Sequence, residues 1–175
     1  METSIQEKKK SGIKYFNEPF LYEDLPEETL KKISQEYATY IENIYSKLPC
    51  GFKLLAKGIF LHDGIISEFY WDKRENLVRL ECHCDDLVIG YTDVNITYFE
   101  VQNTIDITNL QPNQEYSYIE IYADEIELLE SKYISHKLFF FTKKEIEIIS
   151  KNVAITVQPR LKKAKKESCK IIIIE

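Results

Sequence analysis

Glycine is scarce, five residues in 175, and none of the five builds a phosphate-cradling loop. Neither the P-loop pattern nor the dinucleotide fingerprint occurs, and such loops need glycine where backbone must close on a ligand. Nucleotide binding by those devices is thereby excluded. No serine sits in a Gly-x-Ser-x-Gly elbow. No apolar run approaches the roughly 20 residues that span a bilayer; Ile171–Ile174 is far too short. Residues 1–10 are polar and charged, without the apolar centre of a secretory signal. The expectation is a cytoplasmic protein with its four cysteines, Cys50, Cys82, Cys84 and Cys169, reduced. A Cys82–Cys84 disulfide would close a tiny, strained loop.

What is present is an acidic body with a basic end. Between residues 15 and 159 acidic side chains outnumber basic ones by about twelve. From Arg160 onward the sign reverses: Arg160, Lys162, Lys163, Lys165, Lys166 and Lys170 face only Glu167 and Glu175. A negative surface favours basic partners and repels nucleic acid. The hydrophobic content, 44%, suits one globular domain with a real core. The expected organisation is a flexible leader over 1–14, one domain over 15–159, and a basic tail over 160–175 ending in an edge strand.

The clearest helix begins after Asp24. Asp24 and Glu27 have capping-box spacing, and Pro26 suits a first turn. Leu30, Ile33, Tyr37, Ile41, Ile44 and Leu48 then recur every three or four residues, an apolar stripe of about five turns that ends before Pro49 and packs most simply on a sheet. A second, shorter helix is expected near Phe52–Leu61, followed by a turn at Leu61-His62-Asp63-Gly64. From there the period is two. Strands are expected at 65–71, 77–84, 95–101, 117–123, 133–141, 145–149 and 153–157. Residues 124–131 fit either a continued strand or one helical turn. Strands at this spacing without interleaved helices pair antiparallel. The fold class is therefore α+β, with N-terminal helices packed on a bent, mainly antiparallel β-sheet arranged as a meander.

Leu61-His62-Asp63 followed by Gly64-Ile65-Ile66 resembles a motif of an uncharacterised bacterial α+β domain family, in which a helical segment leads through a Leu-His-Asp turn into a β-meander. Val94–Phe99 and Glu145–Ile149 are similar to its later strands. The resemblance covers residues 48–157. It implies the fold above, marks His62 and Asp63 as positions of interest, and implies no activity.

Three groups of residues are candidates for function. His62 beside Asp63 has the composition of a general base with an anionic neighbour; the structural alternative is a turn in which Asp63 caps backbone amides. Cys82, His83 and Cys84 have metal-ligating side chains, but strand alternation puts Cys82 and Cys84 on the apolar face with Val78 and Leu80, and His83 on the other. The thiols then read as small core residues. No metal or other cofactor is expected. Tyr116, Tyr118, Glu120 and Tyr122 share one face of a strand whose other face carries Ile119 and Ile121. With the isoleucines inward, the tyrosines and glutamate form an outward strip of interface-type side chains.

The sequence reads best as a non-enzymatic acidic module that binds a basic protein, of the kind an immunity protein represents when it neutralises a basic toxin or nuclease. The alternatives are a hydrolase-like enzyme using His62 and Asp63, and a scaffold that self-associates through the β-prone Ile171–Ile174 segment.

Overall fold

The computed structural model describes residues 15–16, 25–86, 90–112 and 115–175; the expected leader over 1–14 and residues 17–24, among them Asp24 of the capping box, lie outside that set. Among the described residues two helices, α1 (Glu27–Tyr45) and α2 (Cys50–Lys57), precede eight strands: β1 (Ile65–Asp72), β2 (Leu77–Asp86), β3 (Gly90–Phe99), β4 (Ile119–Leu128), β5 (Ile134–Phe140), β6 (Glu145–Ser150), β7 (Asn152–Pro159) and β8 (Lys170–Ile174). A single 3-10 turn, Ile107–Leu110, lies between β3 and β4. Pro26 takes the N-cap position of α1, two residues after the Asp24 that the capping-box spacing suggests, without a side-chain cap. The stripe on α1 deepens along the helix. Leu30, Ile33 and Tyr37 are half-buried, and Ile41, Ile44 and Leu48 are in the core. Residues 124–128 continue β4 as strand.

The sheet order is β6-β5-β4-β1-β2-β3-β7. It consists of two antiparallel meanders, β1-β2-β3 and β4-β5-β6, joined side by side through β1 and β4. That junction is short: Ile65 pairs with Glu120 and Ile66 with Ile119. One further step follows, with the Asp63 amide donating to the Ile121 carbonyl and the Ile121 amide to Gly64. Beyond it β4 overruns the start of β1, and β1 overruns the start of β4. Each overhang has an open row of backbone polar groups, and each is covered differently. Along β4, the Tyr37 and Tyr40 hydroxyls of α1 accept from the amides of Ile126 and Leu128 at 2.8 and 3.0 Å. Along β1, the tail returns as β8 and pairs parallel over Glu68–Asp72, the one departure from antiparallel pairing among the described strands. Unpaired strand edges invite aggregation, so both covers protect as well as stabilise.

The remaining edges are handled locally. The Asn103 side chain accepts from Ile149 and donates to the Glu147 carbonyl, and Asn109 donates to the Glu145 carbonyl, so a loop stands in for a strand beside β6. The single residue Lys151 links β6 to β7 at opposite ends of the sheet order, which bends the sheet round one shared core. That core joins Ile41, Phe52 and Leu55 of the helices to Phe69, Leu80, Ile96, Ile121, Leu138 and Ile148 of the strands. Strand β5 is buried on both faces. Its outer face lies under Phe16, which packs with Phe139, while the buried Glu125 carboxylate accepts from the amides of Tyr15 and Phe16. Among the described residues no helix is long and apolar enough to cross a membrane.

Two consequences are testable. A Cβ on Gly51 would lie 1.9 Å from the Val153 carbonyl oxygen, so α2 rests on β7 only because residue 51 has no side chain. Gly51→Ala is expected to cost about 3 kcal/mol, the upper range for forced overpacking, and to lower the Tm by about 6–12 °C in a calorimetric scan. Second, burial beside β8 pushes the Cys169 thiol up to about 11. Only thiolate reacts with an alkylating reagent. Labelling followed by mass spectrometry at pH 8 should therefore show exposed Cys50 modified first, with Cys169 gaining reactivity as pH rises toward 11.

Candidate functional site

Two places bring candidate side chains together, one at each end of the β1–β4 junction. The first lies at the start of β4. Ile119 and Ile121 are fully buried, which turns Glu120 and the preceding Tyr118 outward. The tail crosses here. Lys166 Nζ donates to the Tyr118 hydroxyl at 2.8 Å and to Glu120 Oε2 at 3.4 Å, and stands 4.5 Å from the centre of the Tyr118 ring. One ammonium thus meets a hydroxyl, a carboxylate and an aromatic face, three partners suited to a cation. The Tyr118 hydroxyl, then Glu120, hold Lys166 above the ordinary lysine range. Tyr116 stands edge-on to Tyr118 at 6.3 Å. The tail meets the body's acids elsewhere too: Arg160 Nε lies 3.2 Å from Asp93 and Lys170 3.2 Å from Glu68. Arg79 first and Lys170 second hold the Glu68 carboxyl below its usual range.

Tyr122 alternates with the buried Ile121 as Glu120 does, but it lines the second place, an open groove of about 420 Å³ between the helices and the overhang of β4; the β4–β5 register shifts between Ile121 and Ala123. Tyr122 packs edge-on against Phe141 at 4.8 Å and His62 at 5.6 Å. His62 Nδ1 donates to the Tyr122 carbonyl, and Nε2 lies 3.3 Å from Asp63 Oδ1. The turn that holds them places Asp63 at φ 61, a conformation that aspartate tolerates better than most residues. His62 is not sealed in this turn, and among the described residues no serine, threonine or cysteine lines the groove with it. Its ring forms part of the groove wall, and both nitrogens have partners within the turn and its neighbouring strand.

The same wall carries Asp124, which sequence reasoning did not single out. Asp124 Oδ2 accepts from His136 Nε2 at 3.1 Å, and His136 Nδ1 is 2.7 Å from the Tyr98 hydroxyl. His136 and Tyr98 are fully buried. A neutral imidazole protonated on Nε2 satisfies both contacts, with Tyr98 donating to Nδ1. Burial, chiefly, raises the Tyr98 and Tyr37 phenols, and the Asp124 charge pushes both in the same direction. A signal for this chain did exist. Ile134, His136, Leu138 and Phe140 share one face of β5, so a histidine stands among core positions and must find partners there.

Cys82 and Cys84 lie in the core, and burial drives the Cys82 thiol well above its ordinary value. His83 turns to the opposite face and bonds Asp93 at 2.7 Å. Among the described residues no three His, Cys, Asp or Glu side chains stand close enough to hold a metal ion. Ile171–Ile174 is committed to β1 of its own chain.

No family model matches the chain, and no curated protein does. A solved structure described as an uncharacterized protein from Neisseria gonorrhoeae is similar at 19% identity and a TM-score of 0.33, over 55% of this chain and 92% of that one. A likeness at that level carries no argument about function.

The Tyr98–His136–Asp124 chain predicts a specific cost. Tyr98→Phe keeps the ring and strands the buried Nδ1 without a partner, a loss of about 1–3 kcal/mol. Urea unfolding should show a lower midpoint with an unchanged slope; a midpoint equal to the native chain's would mean the hydrogen bond contributes nothing.

Proposed function

We propose that this chain is a non-enzymatic recognition module for a basic protein, acting in the cytoplasm in the manner of an immunity protein that neutralises a cationic toxin or nuclease. One observation supports the reading above the others: the Tyr118–Glu120 pair already holds a lysine ammonium, that of Lys166, in a seat of hydroxyl, carboxylate and ring face. A basic partner would present the same group. In this reading the partner's lysine or arginine displaces Lys166, Tyr116 adds aromatic contact area beside it, and the acidic body accelerates the encounter. The hydrolase-like alternative has less support, because the two nitrogens of His62 are engaged by Tyr122 and Asp63. Self-association through Ile171–Ile174 would have to compete with the pairing of β8 on β1.

The test keeps β8 in place. Full-length protein carrying Lys166→Ala is titrated with a synthetic peptide of residues 160–167, which supplies the same lysines in trans. The peptide should bind the variant about threefold to tenfold more tightly than the native chain, the scale of an exposed cation–carboxylate–ring contact. Adding Glu120→Gln should remove that gain, and affinity should fall with salt. Equal affinity for Lys166→Ala and the Lys166→Ala, Glu120→Gln double variant would rule out the seat.

A further inference from the structure

We infer that the groove beside His62 is a binding site for a small organic ammonium ion, an amine attached to an aromatic or aliphatic body. This site is separate from the Tyr118–Glu120 seat and stands or falls independently of it. Three observations carry it.

The first is the aromatic lining. On one wall Phe60, His62 and Tyr122 follow one another with centroids 5.8 and 5.6 Å apart. On the other, Phe16 meets Tyr37 edge-on at 5.0 Å. Rings on both sides of an open groove of about 420 Å³ give the volume and surface of a small-molecule site. Phe60 is 65% exposed at its rim, although Leu61, the next residue, is buried.

The second is the charge. The Asp124 carboxylate lies on the wall, only 23% exposed. One of its oxygens is fixed by His136, which Tyr98 orients in turn. This second-layer support holds the carboxylate in place without neutralising it by a lysine or arginine. The third is the absence of such a cation: among the described residues the wall carries no lysine or arginine.

Ligand class follows by elimination. A carboxylate or phosphate ligand would face Asp124 with nothing to offset the repulsion. A hydrocarbon would strip water from Asp124 without replacing its hydrogen bonds, which is costly for a charge. An ammonium pairs with the carboxylate, and its polarised C–H and N–H groups lie favourably on the flanking ring faces.

The probes are 2-phenylethylammonium, 2-phenylethanol and 3-phenylpropionate, matched in body and different in charge. Each is titrated into the full-length protein by calorimetry and by amide NMR. The ammonium should bind saturably, shifting the amides of Ala123 and Asp124. The alcohol should bind at least about tenfold more weakly, and the propionate should not bind. Phe60→Ala, at an exposed position, should weaken the ammonium several-fold with the Tm unchanged. Asp124→Asn should erase the preference for ammonium over alcohol. Absence of saturable ammonium binding, equal affinity for ammonium and alcohol, an unaffected Phe60→Ala, or a preference that survives Asp124→Asn would each overturn the assignment. The charge series on the native chain and the Phe60 variant decide the matter even where Asp124→Asn is unstable.

Discussion

The short overlap between β1 and β4 governs what surrounds it. Two paired residues on each strand, plus one further hydrogen-bonded step, join the two meanders. Because the strands are offset, each continues past the other with an unpaired row of amides and carbonyls. A buried or half-buried backbone group without a partner costs about 1–3 kcal/mol, so neither overhang is tolerable alone. The β4 overhang is answered by side chains: two tyrosine hydroxyls from α1 and one imidazole from the turn before β1. The β1 overhang is answered by backbone, the parallel strand β8. Side chains that reach sideways to a strand leave space between helix and sheet, and the groove occupies it. A strand that returns from the C-terminus must cross the junction, and Lys166 meets Glu120 on the way. Both candidate sites are products of one offset.

Charge is organised by the same geometry. The excess of carboxylates seen in the composition does not form a uniform negative field. Glu125 is buried and serves the amides of Tyr15 and Phe16. Asp124 is tied to a buried histidine, Asp93 to His83 and Arg160, and Glu68 to Arg79 and Lys170. The basic tail therefore reads as the counterpart of acids on the strands it crosses. Lys162, Lys163 and Lys165 stay exposed, so the surface near the tail carries both signs.

The legible parts of the fold were those set by local period. Alternation placed Cys82 and Cys84 inward and His83 outward, and Ile119 and Ile121 inward beneath Glu120, as the burial shows. The α1 stripe announced a packed helix. What it could not announce is that Tyr37 and Tyr40 use their hydroxyls on a strand some 88 residues away; hydrophobic spacing records which face is covered and is silent on the polar tip. The parallel pairing of β8 was hidden for a related reason. Four isoleucines specify a strand, but the edge they join depends on which edge the rest of the sheet leaves open. Tyr122 packs on His62 and Phe141, because the neighbours of an outward side chain are set by the turn before β1 and the end of β5, which alternation along one strand does not record. Asp124 escaped notice because its significance comes from His136 and Tyr98, separated from it by 12 and 26 positions and joined only by the folded core.

The energetics of the tail separate its two halves. An exposed ion pair such as that of Lys166, whose side chain is 44% exposed, contributes about 0.2–1 kcal/mol. It opens readily at room temperature. Strand β8 is held by a five-residue register against β1 and by half-buried isoleucines, each contributing on the order of 1 kcal/mol through partial burial. The Lys73 amide adds a backbone bond to the Ile174 carbonyl beyond the strand's end. A competitor that removes Lys166 from its seat therefore meets a weak opponent, while the strand that seals the sheet stays docked. The irregular segment between Arg160 and Lys170 supplies the slack, since no strand or helix constrains it. Occupancy of the seat and integrity of the fold are in this way decoupled: the cation site is emptied or filled without reopening the edge of β1.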